Sequence, residues 1–194
     1  MRRDRAMAES AGGWRGSRWR VAAWSAAAFM LVLPWFAMQV TDQVAWDVVD
    51  FAVLGALLAI VGVSYELAAR KTVNTAYRWA VGIALGAAFI LVGVNLAVGV
   101  IGTENNDANL MFGGVLGVGV IGAIITRLRP EGMARVLSAM ALAQALVAVI
   151  AMVAGAGSSG PIWPLDILMA TTFFVAMWLI SAWLFRLSAR ETIR

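Results

Sequence analysis

The chain has no cysteine and no histidine, and its only lysine is Lys71. Without cysteine there can be no disulfide, no thiol redox chemistry and no thiolate-held cluster. Without histidine there is no bis-imidazole haem ligation, no His-based metal site and no imidazole general base. No Ser/His dyad, no HExxH motif and no pair of aspartates within an apolar run is present. A retinal Schiff base needs a lysine inside a span, and Lys71 falls between spans. The sequence therefore predicts no catalytic residue and no cofactor.

Charge is also scarce. Asp, Glu, Lys and Arg together make up 13% of the 194 residues, against 62% hydrophobic residues. Soluble domains lie near 45–50% apolar and about 25% charged, so this balance points to an integral membrane protein. The apolar residues form runs of about twenty, the length of a helix crossing a hydrocarbon core of about 30 Å. Lipid offers no partner to backbone polar groups, which favours helices over open strands. The runs show no two-residue alternation, and six strands are too few to close a barrel.

The sequence predicts an all-α membrane bundle of six transmembrane helices. They are expected at residues 21–40, 46–69, 77–101, 108–128, 133–155 and 165–187, forming one domain at 21–187. Residues 1–20 read as a basic, partly disordered cytoplasmic leader, and 188–194 as a cytoplasmic tail. The leader followed by an apolar run also suits a signal peptide. However, the run is longer than the usual h-region and no A-x-A site follows it, so an uncleaved first span is expected. Short loops predict antiparallel packing of sequential helices.

The fifteen basic residues fall into four groups. Six arginines lie in the leader. Arg70, Lys71 and Arg78 flank the second loop, Arg127, Arg129 and Arg135 the fourth, and Arg186, Arg190 and Arg194 close the chain. The first, third and fifth loops carry none. The positive-inside tendency then sets both termini in the cytoplasm. The net charge of +4 is used up by this pattern and does not indicate nucleic acid as a partner.

The most polar interruption lies at residues 95–114, where Asn95 precedes a loop from Thr103 to Asp107 and a glycine-rich helix follows. Asp42, Asp47, Asp50, Glu104, Asp107 and Asp166 all fall on the side opposite the basic groups. Carboxylates and amides are hard ligands for Ca²⁺ or Mg²⁺, so Asp47, Asp50, Glu104, Asn105, Asp107 and Asp166 form a candidate cation site. Ordinary solvated loops, with acids at helix N-termini, explain the same positions without a metal.

Three polar residues within the predicted spans are candidates for more than packing. Asn95 is expected about two turns inside the third, and Gln144 near the middle of the fifth. Each suits either an interhelical hydrogen bond or a polar pathway. Glu66 is a candidate proton-binding carboxylate, but Arg70 four residues on favours an ion pair. Gly82 with Gly86, and Gly113 with Gly117, have the four-residue spacing that lets helices approach closely. They could serve packing within the chain or homo-oligomerisation.

Residues 95–137, with Thr-Glu-Asn-Asn-Asp-Ala-Asn-Leu-Met in the loop and Arg-Pro-Glu-Gly-Met-Ala in the next turn, resemble a segment of small uncharacterised polytopic proteins of the bacterial inner membrane. The resemblance covers about a fifth of the chain and implies that membrane, without implying an activity.

The reading that follows is a non-enzymatic accessory, assembly or interaction subunit. Its partners would be the lipid bilayer and a membrane protein or further copies of itself. A small transporter or channel with an acidic, cation-attracting outer vestibule is the alternative. A membrane enzyme with an outer-face carboxylate site is a weaker one.

Overall fold

The computed structural model describes residues 2–41, 45–103, 105–158, 160 and 162–191, with side chains from Val21 onward. Among them are six α-helices and one 3-10 turn, and no strand. The helices are α1 (Arg2–Val40), α2 (Val48–Arg70), α3 (Thr75–Ala97), α4 (Met111–Thr126), α5 (Pro130–Val153) and α6 (Leu165–Glu191), with the 3-10 turn at Asp107–Leu110. All six are long and apolar enough to cross a membrane; α1 does so through Val21–Val40, and α4 needs the preceding turn to reach 20 residues. The six expected spans thus each meet a helix. The helical backbone of α1 begins at Arg2, ahead of the span expected at 21–40, so the leader and the span share one helix.

The chain divides into two compact units, Met1–Val63 and Ser64–Arg194. In the first, the Trp24 ring lies against the backbone of α2, where a β-carbon on Gly62 would come within 3.1 Å of it. Leu31 approaches Gly55 in the same way at 3.9 Å. Glycine here lets an indole reach the helix surface.

The second unit is built on α6, which packs against both α3 and α5, while α5 also packs against α4. The spatial order is therefore α4, α5, α6, α3. The expectation that sequential helices pair holds for α4 with α5 and for α5 with α6. It fails for α3, which packs on α6 rather than on α4. The reason lies in one face of α3, where Ala80, Ala87 and Leu91 are all fully buried. They present a flat surface to α6, and the Ser181 hydroxyl of α6 donates to the Ala80 carbonyl at 2.6 Å. Tyr77 and Phe185 meet edge to face at 5.1 Å between ring centres. Burying side chains of this size stabilises by about 1.5–3 kcal/mol each in water; in lipid, close packing and the hydrogen bond carry more of the load.

Two ends of this unit are tied separately. At one, the Tyr77 hydroxyl donates to the Leu128 carbonyl at 3.0 Å, and the Asn74 amide donates to Glu191 at 2.7 Å. The start of α3, the α4–α5 turn and the end of α6 therefore lie together. At the other, the loops after α3 and α5 touch backbone to backbone. A β-carbon on Gly157 would sit 2.9 Å from the Gly102 nitrogen, so neither position has room for a side chain.

Small residues also set the α4–α5 crossing, though at other positions than the spacing suggested. Gly113 and Gly117 meet nothing within 4 Å, and neither does Gly86. Gly119 and Gly122 make the close approach instead, with Met140 and Val136 filling the space a side chain would need. Of the expected packing glycines, only Gly82 has a neighbour, the Tyr65 ring at 3.6 Å.

Candidate functional site

The loop between α3 and α4 departs most from the sequence reading. The third span was expected to continue to residue 101, because Val98, Val100 and Ile101 are apolar. The helix stops at Ala97. Val100 and Ile101 fold back into the bundle, 5% and 0% exposed. Their N–H groups, freed from the helix, both donate to the Asn109 side-chain oxygen at 3.1 and 2.9 Å. The Asn109 amide nitrogen donates to the Thr103 and Ile101 carbonyls at 2.7 and 3.4 Å. One buried side chain thus serves as the partner for a whole loop, as buried backbone groups require. Beside it, Asn106 caps the 3-10 turn by accepting from Ala108 N–H at 3.0 Å.

Asn109 did not stand out in the sequence from the other polar residues of the stretch. The available signal was an asparagine at the mouth of an apolar helix, shortly after an apolar segment containing glycine. The helix ending early also changes Asn95, which lies in the last turn of α3 rather than two turns deep. Its amide nitrogen donates to the Leu91 carbonyl at 2.8 Å, while its buried oxygen has no partner.

The acidic candidates are engaged locally. Asp47 precedes α2 and accepts from the N–H groups of Val49 and Asp50 at 2.7 and 3.0 Å. Asp50 reaches back to accept from the Asp47 N–H at 2.9 Å. The pair forms a reciprocal cap, with an aspartate where a capping box usually has glutamate or glutamine. Asp166 accepts from the Ile167 N–H at 2.8 Å at the start of α6, and Asp107 opens the 3-10 turn. Asn105 lies exposed in the loop. Asp42 and Glu104 lie outside the described residues. Among the described residues no three carboxylates gather in a way that could hold a metal ion. Glu66 pairs with Arg70 at 3.2 Å, the contact their spacing predicts.

The interior of the second unit holds a different kind of polar group. Gln144 on α5 is fully buried, and neither its oxygen nor its nitrogen has a hydrogen-bond partner. On α6, the Thr171 hydroxyl and the Trp178 indole N–H are likewise buried without partners. Measured along the helices from the end shared by Val153 and Leu165, Thr171, Gln144 and Trp178 lie at about 9, 14 and 20 Å respectively. An amide, a hydroxyl and an indole N–H can hold water or a neutral polar solute, but none of them ionises near neutral pH. Thr171 and Trp178 were not singled out by sequence, since both are ordinary residues of apolar spans.

These features define an all-helical protein whose six apolar helices are compatible with a multi-pass membrane protein. Comparison with protein-family models, with curated proteins and with solved structures gives no match.

Proposed function

We propose that the chain is a multi-pass protein of the bacterial inner membrane, with both termini cytoplasmic, acting as a non-enzymatic accessory, assembly or interaction subunit. One observation carries this reading: the acidic candidates Asp47, Asp50, Asp166 and Glu66 are engaged in holding backbone or a neighbouring arginine. Asp47 and Asp50 cap a helix, Glu66 meets Arg70, and Asn109 secures a loop. The orientation is supported by the charge distribution of the second unit. Arg70, Lys71, Arg78, Arg127, Arg129, Arg135, Arg186 and Arg190 belong to the end where α3 starts and α6 finishes, while the opposite end carries Asp107 and Asp166. Positive charge is retained on the cytoplasmic side of membranes.

Extraction of the tagged chain from its native membrane in a mild detergent tests the proposal. A stoichiometric membrane-protein partner is the expected result, and a lone monodisperse species would overturn it.

A transporter is the second reading, favoured by the unpartnered polar atoms of Gln144, Thr171 and Trp178. It requires water at that depth. A cysteine at position 144 that reacts with a small aqueous thiol reagent would support it, and an inert one would remove it.

A further inference from the structure

We infer that the cleft where α4 turns into α5 binds the phosphate group of an anionic lipid. The inference rests on the membrane-spanning reading above. The chain leaves α4 at Thr126 and reverses through two successive left-handed residues, Arg127 at φ 51° and Leu128 at φ 59°. Such backbone is uncommon outside glycine, asparagine and aspartate. It turns at once into an extended Arg129, and Pro130 then opens α5, where its missing N–H costs nothing. The tight reversal leaves a cleft of about 670 Å³ lined by Thr126, Arg127, Arg129, Glu131, Arg135 and Ala189, among others.

Three arginines and one glutamate therefore line this space, an excess of positive charge. None of the three guanidiniums has a hydrogen-bond or ion-pair partner among the described residues. At the same end of the bundle, Arg70 is held by Glu66, and Arg78 donates to the Thr72 and Ala69 carbonyls. The cleft arginines are left available, as are Arg186 and Arg190 outside the cleft, and what sets them apart is that they line one space. Guanidinium matches phosphate oxygens in a two-point fork.

The backbone adds to them. α5 starts without a side-chain cap, and its first bond back across the turn comes from the Met133 N–H to the Arg129 carbonyl. The N–H groups of Glu131 and Gly132, two of the residues lining the cleft, therefore have no backbone acceptor and lie at the positive end of the helix dipole. A phosphate oxygen is the acceptor these groups suit.

A lipid rather than a free anion is indicated by what leads away from the cleft. Ile125 lines it, and Ile121, Ile124 and Ile125 are 60%, 72% and 74% exposed along α4. Ile121 and Ile125 share one helix face four residues apart. An acyl chain has an apolar lane to follow from the same place where its headgroup would be held. Basic pockets between helices at the cytoplasmic surface are where anionic headgroups bind.

The test uses the full-length chain in mild detergent, offered equal amounts of phosphatidylglycerol and phosphatidylcholine with the same acyl chains and read by native mass spectrometry. Phosphatidylglycerol should be retained with a preference on the order of tenfold. The Arg129→Ala/Arg135→Ala double variant should lose that preference. Arg186→Ala/Arg190→Ala removes the same charge from the same end outside the cleft and should keep it. Equal retention of the two lipids by the native chain, or equal losses in the two double variants, overturns the inference. Should the alanine variant fail to fold, Arg129→Lys/Arg135→Lys preserves the charge while losing the two-point fork. It should show a reduced preference, and an unchanged one counts against the site. Inorganic phosphate alone should not reproduce the thermal stabilisation given by phosphatidylglycerol; if it does, the cleft is a free-anion site and the lipid assignment falls. Release of the chain from membranes by alkaline carbonate would instead overturn the membrane-spanning reading, which separates the two failures.

Discussion

The Asn109 side chain accepts the backbone N–H of Ile101, eight residues earlier in the chain, at 2.9 Å, and both residues are buried. This contact holds the segment that follows the end of α3, where Gly99 turns left-handed at φ 74° and its N–H returns to the Val94 carbonyl. Beyond the end of the helix Val100 and Ile101 fold back into the bundle, and a single amide is responsible for the loop.

Asn109→Ala should therefore lower stability by about 2 kcal/mol or more, since it orphans two buried N–H groups at once. Asn109→Asp should also destabilise, because it keeps the acceptor but turns a second oxygen toward the Thr103 and Ile101 carbonyls. Thermal unfolding in detergent reads both. A melting temperature for Asn109→Ala equal to that of the native chain would show that the clamp contributes nothing.

Gly122 and Gly117 offer a paired comparison on one helix. A β-carbon at Gly122 would come within 2.5 Å of the branched Val136 side chain, which has little freedom to move. Gly122→Ala should cost about 1–3 kcal/mol. Gly117→Ala meets open space and should be neutral, or stabilise by up to about 1 kcal/mol through helix propensity. Loss of a larger oligomer on size-exclusion chromatography with Gly117→Leu, but not with Gly117→Ala, would reassign that face to contact between copies.

Gln144→Leu tests the interior polar set. With neither amide atom partnered, removing the amide relieves a buried polar group, a change of about 1–3 kcal/mol toward stability if the new side chain fits. A marked loss of thermal stability would mean that Gln144 has a partner such as ordered water, which strengthens the transporter reading.

The Asp47–Asp50 pair separates capping from cation binding. Asp47→Ala should cost about 1 kcal/mol through the lost cap. Millimolar Ca²⁺ or Mg²⁺ should leave the melting temperature of the native chain unchanged. A saturable rise that disappears in Asp47→Ala would restore the cation site.

Single cysteines test the orientation, the chain having none of its own. In intact cells, cysteines at Asn105 and Ser158 should react with an impermeant maleimide and one at Arg129 should not. The reverse pattern would invert the topology, and uniform labelling would dismiss it.

What was legible in the sequence is what depends on neighbours along the chain. A run of about twenty apolar residues reaches across a hydrocarbon core whatever surrounds it, so the six helices could be read before any packing was known. The Glu66–Arg70 pair was visible for the same reason, since four-residue spacing on a helix is local geometry. The grouping of arginines by loop was also a property of the chain alone.

The rest depended on which segments meet. Val98 to Ile101 are apolar enough to continue a helix, but the left-handed turn at Gly99 ends it and Asn109, folding back from beyond the loop, takes up the freed N–H groups. The glycine spacing of α4 suggested Gly113 and Gly117, yet the crossing with α5 lies lower, where Val136 and Met140 need the room at Gly122 and Gly119. Chain order suggested α3 against α4, whereas the small face of Ala80 and Ala87 seats on α6 around Ser181. Arg127, Arg129 and Arg135 read as one more orientation signal until the left-handed turn at Arg127 and Leu128 set them around a common cleft. Apolar helices and charge clusters follow from composition because each depends on its own segment alone. Partners, crossing points and clefts follow from tertiary structure because they depend on shape matching between segments far apart in the chain.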